Sequence, residues 1–279
     1  MKPVQPLDTV TLFARLGDEL LALLRGLDPE DWTRPTACAL WSVRDVAAHL
    51  LDGDLRRLSF QRDRLPLLAP DSEISSRGDL VAFLNQLNAE WIRAAKRLSP
   101  ALLIELLGFT STRVRALFES LDPQAPAFFP VAWAGEETSC NWFDVARECT
   151  EKWLHQQQIR EAVKRPGLTS REWLYPVLDT FMRALPHVYR DAAAEEGTSV
   201  VFEIEGEAGG RWSLLRQDGS WKLFHGASPG PLARTSITQD DAWRLFAKSL
   251  DPQTARRRAR IAGDESLGAR ILQTVAVMA

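Results

Sequence analysis

Two residues four apart open the chemical reading of this 279-residue chain. Glu151 and His155 lie in the stretch NWFDVARECTEKWLHQQQIREA, which reads as one helix opening at Asn141. On a helix that spacing puts both side chains on one face, one turn apart, where two donors can grip a single ion. Asp144 and Glu148 fall on the same stripe. Taken alone, the stripe reads more readily as a solvated acidic face with one histidine. A third donor stands in WSVRDVAAHLLDGD, where His49 sits mid-helix between Val46 and Leu50. A lone histidine there is more often a hydrogen-bonded core residue. Pooled across facing helices of a bundle, however, His49, Glu151 and His155 make two imidazoles and one carboxylate. That set suffices for zinc with one coordination position left open, and it also suits nickel or non-haem iron.

The elements that must position these donors follow from periodicity. Phe13, Leu16, Leu20, Leu23 and Leu27 recur at steps of three and four, the period of one helix face, with Asp8 or Thr9 at the start and Gly26 near the end. Ser42 and Asp45 approximate a capping box for a helix through His49 to about Arg62, which Pro66 and Pro70 then break. Further helices are expected over Asp79 to Leu98, from Pro100 to before Asp122, and from Asn141 to about Val163. Another starts at Thr169 or Ser170 and is kinked or divided at Pro186. Residues 122–140 form a long connection whose Phe128, Phe129 and Trp133 either wall a site or pin the loop down.

After Gly197 the period changes to two. Thr198 to Glu205, Arg211 to Arg216 and Ser220 to Phe224 read as three strands, the last two joined at Asp218-Gly219. Helices are expected again at Gln239 to Lys248, Pro252 to Arg260 and Asp264 to Met278. The fold class is therefore α+β: an up-down helical bundle over 1–165, extending to about 196 at most, then a smaller α/β domain over 197–279 with a short antiparallel sheet.

Composition excludes more than it assigns. A net charge of -3 with mixed acids and bases carries no footprint for nucleic acid or an anionic membrane. The start, MKPVQPLDTV, lacks a signal-like apolar run, and no stretch is apolar enough to span a bilayer. Cys38, Cys140 and Cys149 have neither zinc-ribbon nor CxxC spacing, so a reducing cytoplasm is expected. Cys149 should point away from the Glu151 face. His187 and His225 read as loop or core histidines.

The segment LDPEDWTRPTACALWSVRDVAAHLLDGD resembles the N-terminal signature of the mycothiol-dependent maleylpyruvate isomerase family, a group of DinB-like metal-binding four-helix bundles. The matching residues are Asp31-Trp32, Pro35-Thr36, Trp41, Val43, Asp45-Val46 and Ala48-His49-Leu50, with a later Glu-x-x-x-His pair at Glu151 and His155. The resemblance implies that His49, Glu151 and His155 bind the metal and that a low-molecular-weight thiol such as mycothiol is the partner of a small-molecule substrate. It implies an isomerase or thiol S-transferase. The strands from Val200 to Phe224 and the closing Ile261-Ala262-Gly263-Asp264 resemble the sterol-carrier-like C-terminal domain of the same family. A catalytic arginine is not singled out among Arg256, Arg257, Arg258, Arg260 and Arg270. The alternative is a binding module with an apolar ligand in that domain, its metal shell closed by Asp45, Glu148 or Asp144.

Overall fold

Local signals place the helices of the first compact unit, which comprises Thr9–Phe128 and Glu148–Gly167. The structure, a computed structural model, describes residues 1–70 and 73–276. Helix α1 (Val10–Arg25) buries Phe13, Leu16, Leu20 and Leu23 along one face and stops at Gly26. Thr9 occupies its N-cap, although its side chain makes no capping bond. Helix α2 (Val43–Arg56) starts on the capping box expected of Ser42 and Asp45. It then widens into a π-helical turn over Arg57–Arg62. Helix α3 (Arg77–Ala95) has its own box from Ser76 and Asp79. Helix α4 (Pro100–Glu119) begins with proline at its first turn, where the missing N–H costs nothing. Helix α5 (Asn141–Ala162) carries the Glu151–His155 stripe.

Within this unit α4 packs against α1 and α2, and α2 against α3. The shared core holds Leu20, Leu24, Val46, Leu51, Leu103, Leu107 and Ile159. Each such side chain contributes about 1.5–3 kcal/mol when fully removed from water. That holds the backbone of α2 and α5 firm where the chemistry-bearing residues project.

The second unit comprises Met1–Asp8, Phe129–Arg147 and the described residues from Leu168 onward. Pro186 divides the predicted helix, giving α6 (Arg171–Met182) and α7 (Leu185–Val188). The α+β class is as expected, with a sheet that among the described residues is mixed rather than wholly antiparallel. It has six strands in the order β1-β4-β3-β2-β5-β6. They are β1 (Lys2–Pro3), β2 (Ser199–Glu205), β3 (Gly210–Gln217), β4 (Ser220–His225), β5 (Ala233–Thr238) and β6 (Arg260–Gly263). Strands β2 and β5 pair in parallel, Val200 opposite Ala233, so the sheet is mixed. The β3–β4 hairpin turns at Asp218 and Gly219, whose φ values of 53° and 70° match the turn that asparagine- or aspartate-glycine pairs favour. Helix α8 (Gln239–Phe246) stands at its expected place. The predicted helix over Pro252 to Arg260 is shorter: α9 (Pro252–Arg258) ends before the chain extends into β6. The helix expected over Asp264 to Met278 is α10 (Glu265–Ala269) followed by a 3-10 turn, and residues 277 and 278 lie outside the described residues.

Among the described residues, no helix is long and apolar enough to cross a membrane. Trp133 is buried and stands edge-on to Phe143 and Phe181, with centroids 5.7 and 6.4 Å away, so it pins its loop. The five C-terminal arginines are engaged. Arg256 pairs with Glu265, Arg258 with Asp241 and Arg260 with Glu205; Arg257 donates to Thr254 and Arg270 to the Val188 carbonyl. His225 is no loop residue. Its Nε2 lies 2.6 Å from Asp179 Oδ1, and that fully buried carboxylate also accepts from Trp212 Nε1 and Arg183.

Candidate metal centre

Three segments of the first unit converge on one point. Helix α2 delivers His49, α5 delivers Glu151, His155 and Gln158, and the hairpin before α2 delivers Cys38 and Trp41. That hairpin is held by Thr36, whose backbone N–H and hydroxyl both donate to the Trp41 carbonyl, while the hydroxyl accepts from Cys38 N–H. A bridge between Pro35 and Ser42 closes it, and the Ser42 capping box then launches α2 at a defined angle.

The His49 and His155 rings stand edge to face with centroids 4.8 Å apart. His155 Nε2 lies 3.5 Å from Glu151 Oε2. Trp41 packs on both rings, at 4.8 Å from His49 and 6.4 Å from His155. On its other side, His155 Nδ1 lies 2.8 Å from Gln158 Oε1, and Cys38 Sγ donates to the same oxygen at 3.2 Å. His155 thus lies against both His49 and Glu151. Among the described residues, however, no group of three His, Cys, Asp or Glu side chains is arranged to hold a metal ion.

The donor types, two imidazoles and a carboxylate, are ones that a divalent ion takes. His49 Nδ1 is sealed from solvent and makes no hydrogen bond, although the residue is only half-buried. A sealed, unpaired ring nitrogen is expensive unless a ligand takes it up. Burial holds the His49 pKa well below the ordinary value of 6.5, and the nearby positive charges of His155 and Arg56 add to this against Glu148. The ring therefore stays neutral, as a metal requires. His155 is the opposite case. Burial works against its charge, but hydrogen bonds with Cys38 and Glu151 outweigh it and raise the pKa to about 10.

The acids that would close a fourth position are committed elsewhere. Asp45 completes the α2 capping box. Asp144 accepts from Arg147 at 2.6 Å, and Glu148 from the buried Arg57 at 2.8 Å. Cys149 points away as expected, donating to the Thr9 carbonyl at 3.2 Å. Sequence reasoning missed Cys38 and Gln158. Cysteine spacing gave no cue for the first, and an amide is not a usual ligand.

Comparison with known proteins identifies the family. The model of the mycothiol maleylpyruvate isomerase N-terminal domain family matches residues 13–160, more than half of the chain. A crystal structure of a mycothiol-dependent maleylpyruvate isomerase superposes with a TM-score of 0.52 at 14% identity, covering 87% of this chain and 89% of that one. A histidine-to-alanine mutant of such an isomerase gives 0.51 at 14% identity with the same coverage. The sterol carrier protein domain 2 of Helicoverpa armigera covers 33% of this chain at 19% identity, with a TM-score of 0.27. No curated protein matches by sequence.

Proposed function

Because the chain belongs to the mycothiol maleylpyruvate isomerase N-terminal domain family, we propose that it is a divalent-metal-dependent enzyme that uses a low-molecular-weight thiol such as mycothiol, of isomerase or thiol S-transferase type. The observation that carries the reading is His49 Nδ1, sealed without a partner beside His155. His49, Glu151 and His155 would hold the ion, with zinc the best match to two imidazoles and one carboxylate, and nickel or iron admissible. A bound divalent ion supplies Lewis acidity, which lowers the pKa of a thiol or water in its open position and so provides a nucleophile at neutral pH.

The chain's own residues contribute in distinct ways. His49 offers a neutral ring whose lone pair needs no proton removed. Glu151 is more accessible than His155, its side chain 29% exposed against 10%, which favours the Glu151 side as the substrate side of the centre. Trp41 packs against both imidazoles. With Asp45, Asp144 and Glu148 tied to other groups, a coordination position is left for an exogenous ligand, which favours an enzyme over a closed structural site.

The test is metal analysis of protein purified without chelators, followed by turnover of maleylpyruvate and related conjugated cis-alkenes with and without mycothiol. One equivalent of metal, thiol-dependent turnover, and loss of both in His155→Ala are expected. Turnover that persists after metal removal, or that ignores the thiol, overturns the proposal.

A further inference from the structure

Gln158 stands three residues beyond His155 on α5, one turn along the same face. Its side chain is buried, and its amide oxygen receives two neighbours, His155 Nδ1 at 2.8 Å and Cys38 Sγ at 3.2 Å. An amide oxygen only accepts, so the ring nitrogen that faces it carries a proton, and it keeps that proton when the ring becomes neutral. The other nitrogen, Nε2, is the one that faces Glu151. An amide oxygen has two lone pairs, so two donors fill its acceptor capacity and leave it no reason to turn away.

Building on the metal reading above, we propose that Gln158 is the positioning residue of the metal centre: by accepting from His155 Nδ1 and Cys38 Sγ together, its amide oxygen decides that Nε2 is presented beside Glu151. Metal-ligating histidines commonly anchor their second nitrogen on a carboxylate or carbonyl, and loss of such an anchor costs about 10- to 100-fold in metal affinity. Here a neutral amide fills that place. It orients the ring without adding a negative charge next to Cys38. Cys38 is thereby held on the far side of His155 from Glu151, within the centre's second layer of contacts.

The experiment uses the full chain. Zinc and cobalt(II) affinities are measured for wild type, Gln158→Leu and Gln158→Glu, with the cobalt absorption spectrum recorded for each. The leucine variant is expected to bind about 10- to 100-fold more weakly with an altered cobalt spectrum. The glutamate variant, which restores an acceptor, is expected to regain the affinity. Nitrogen-15 spectra of histidine-labelled, zinc-loaded wild type should show His155 coordinated through Nε2 with Nδ1 protonated, and this decides the matter even if the leucine variant fails to fold. Coordination through Nδ1, or unchanged affinity in a folded leucine variant, overturns the role of Gln158 and leaves the metal reading standing. Wild type that binds neither ion overturns the metal reading and this role with it.

Discussion

Replacing His49 by phenylalanine should stabilise the metal-free protein while abolishing its response to zinc. In the metal-free chain Nδ1 is sealed and unpaired, a condition that costs about 1–3 kcal/mol. The ring is already neutral, so the substitution removes no charge. Phenylalanine keeps an aromatic face against Trp41 and His155, each with its centroid 4.8 Å away. The added bulk costs up to about 1.5 kcal/mol in a well-packed site. The balance is a gain of about 1 kcal/mol, or about 2–4 °C in melting temperature for a protein of this size. Zinc at a hundredfold excess over its Kd adds about 2.7 kcal/mol to wild type and nothing to a variant that has lost a ligand. The two stability curves should therefore cross: the variant melts higher with chelator, wild type melts higher with zinc. Urea denaturation under both conditions measures this. A variant destabilised by more than about 2 kcal/mol without metal would mean that His49 is a satisfied core residue. A retained zinc shift would mean that it is no ligand.

Two further outcomes follow from charge. On the proposed metal reading zinc displaces a proton from His155, whose pKa is raised to about 10, so affinity should strengthen about tenfold per pH unit between pH 6 and 9; calorimetry in buffers of different ionisation heat should find about one proton released at neutral pH, and none would refute the assignment. The sign reverses for the metal-free protein: a folded pKa above the unfolded value contributes stability that is full below about 6.5 and fades as pH rises through about 10, so chelated protein should weaken over the range in which zinc binds better. In the sheet unit, Asp179→Ala strands the buried Trp212 N–H and Arg183 together with His225, and a loss of about 3–5 kcal/mol is expected, with Asp179→Asn milder; equal Tm values for alanine and wild type would sink that account.

What could be read from the sequence was local. The face of α1, the Ser42–Asp45 capping box and the Asp218-Gly219 turn each depend on residues a few positions apart, and the structure has all three. The mixed sheet depends on distant pairing and was not legible. Strand β5 buries Ala233, Thr235 and Ile237 on one face, but one small, one polar and one apolar residue give little alternation to detect. Strand β6 follows directly on the arginines of α9, which read as a continuing helix. The two residues of β1 pair with His225 and Phe224 across more than two hundred positions, and nothing local announces that.

The candidate site divides along the same line between residue type and environment. Histidine and glutamate at the right spacing are visible as donors, so His49, Glu151 and His155 could be named before any coordinates. Gln156, Gln157 and Gln158 are polar in type, yet all three are buried, at 0%, 2% and 5% exposure. Buried amides are retained where they satisfy specific partners. Gln156 donates to the Leu16 carbonyl at 3.0 Å and so ties α5 to α1, while Gln158 holds His155. The usable signal was therefore an excess of polarity on a helix that must be packed on several sides. Since a leucine at these places would pack more cheaply, the polarity of this run reflects the specific partners that Gln156 and Gln158 hold, the Leu16 carbonyl and the His155 ring.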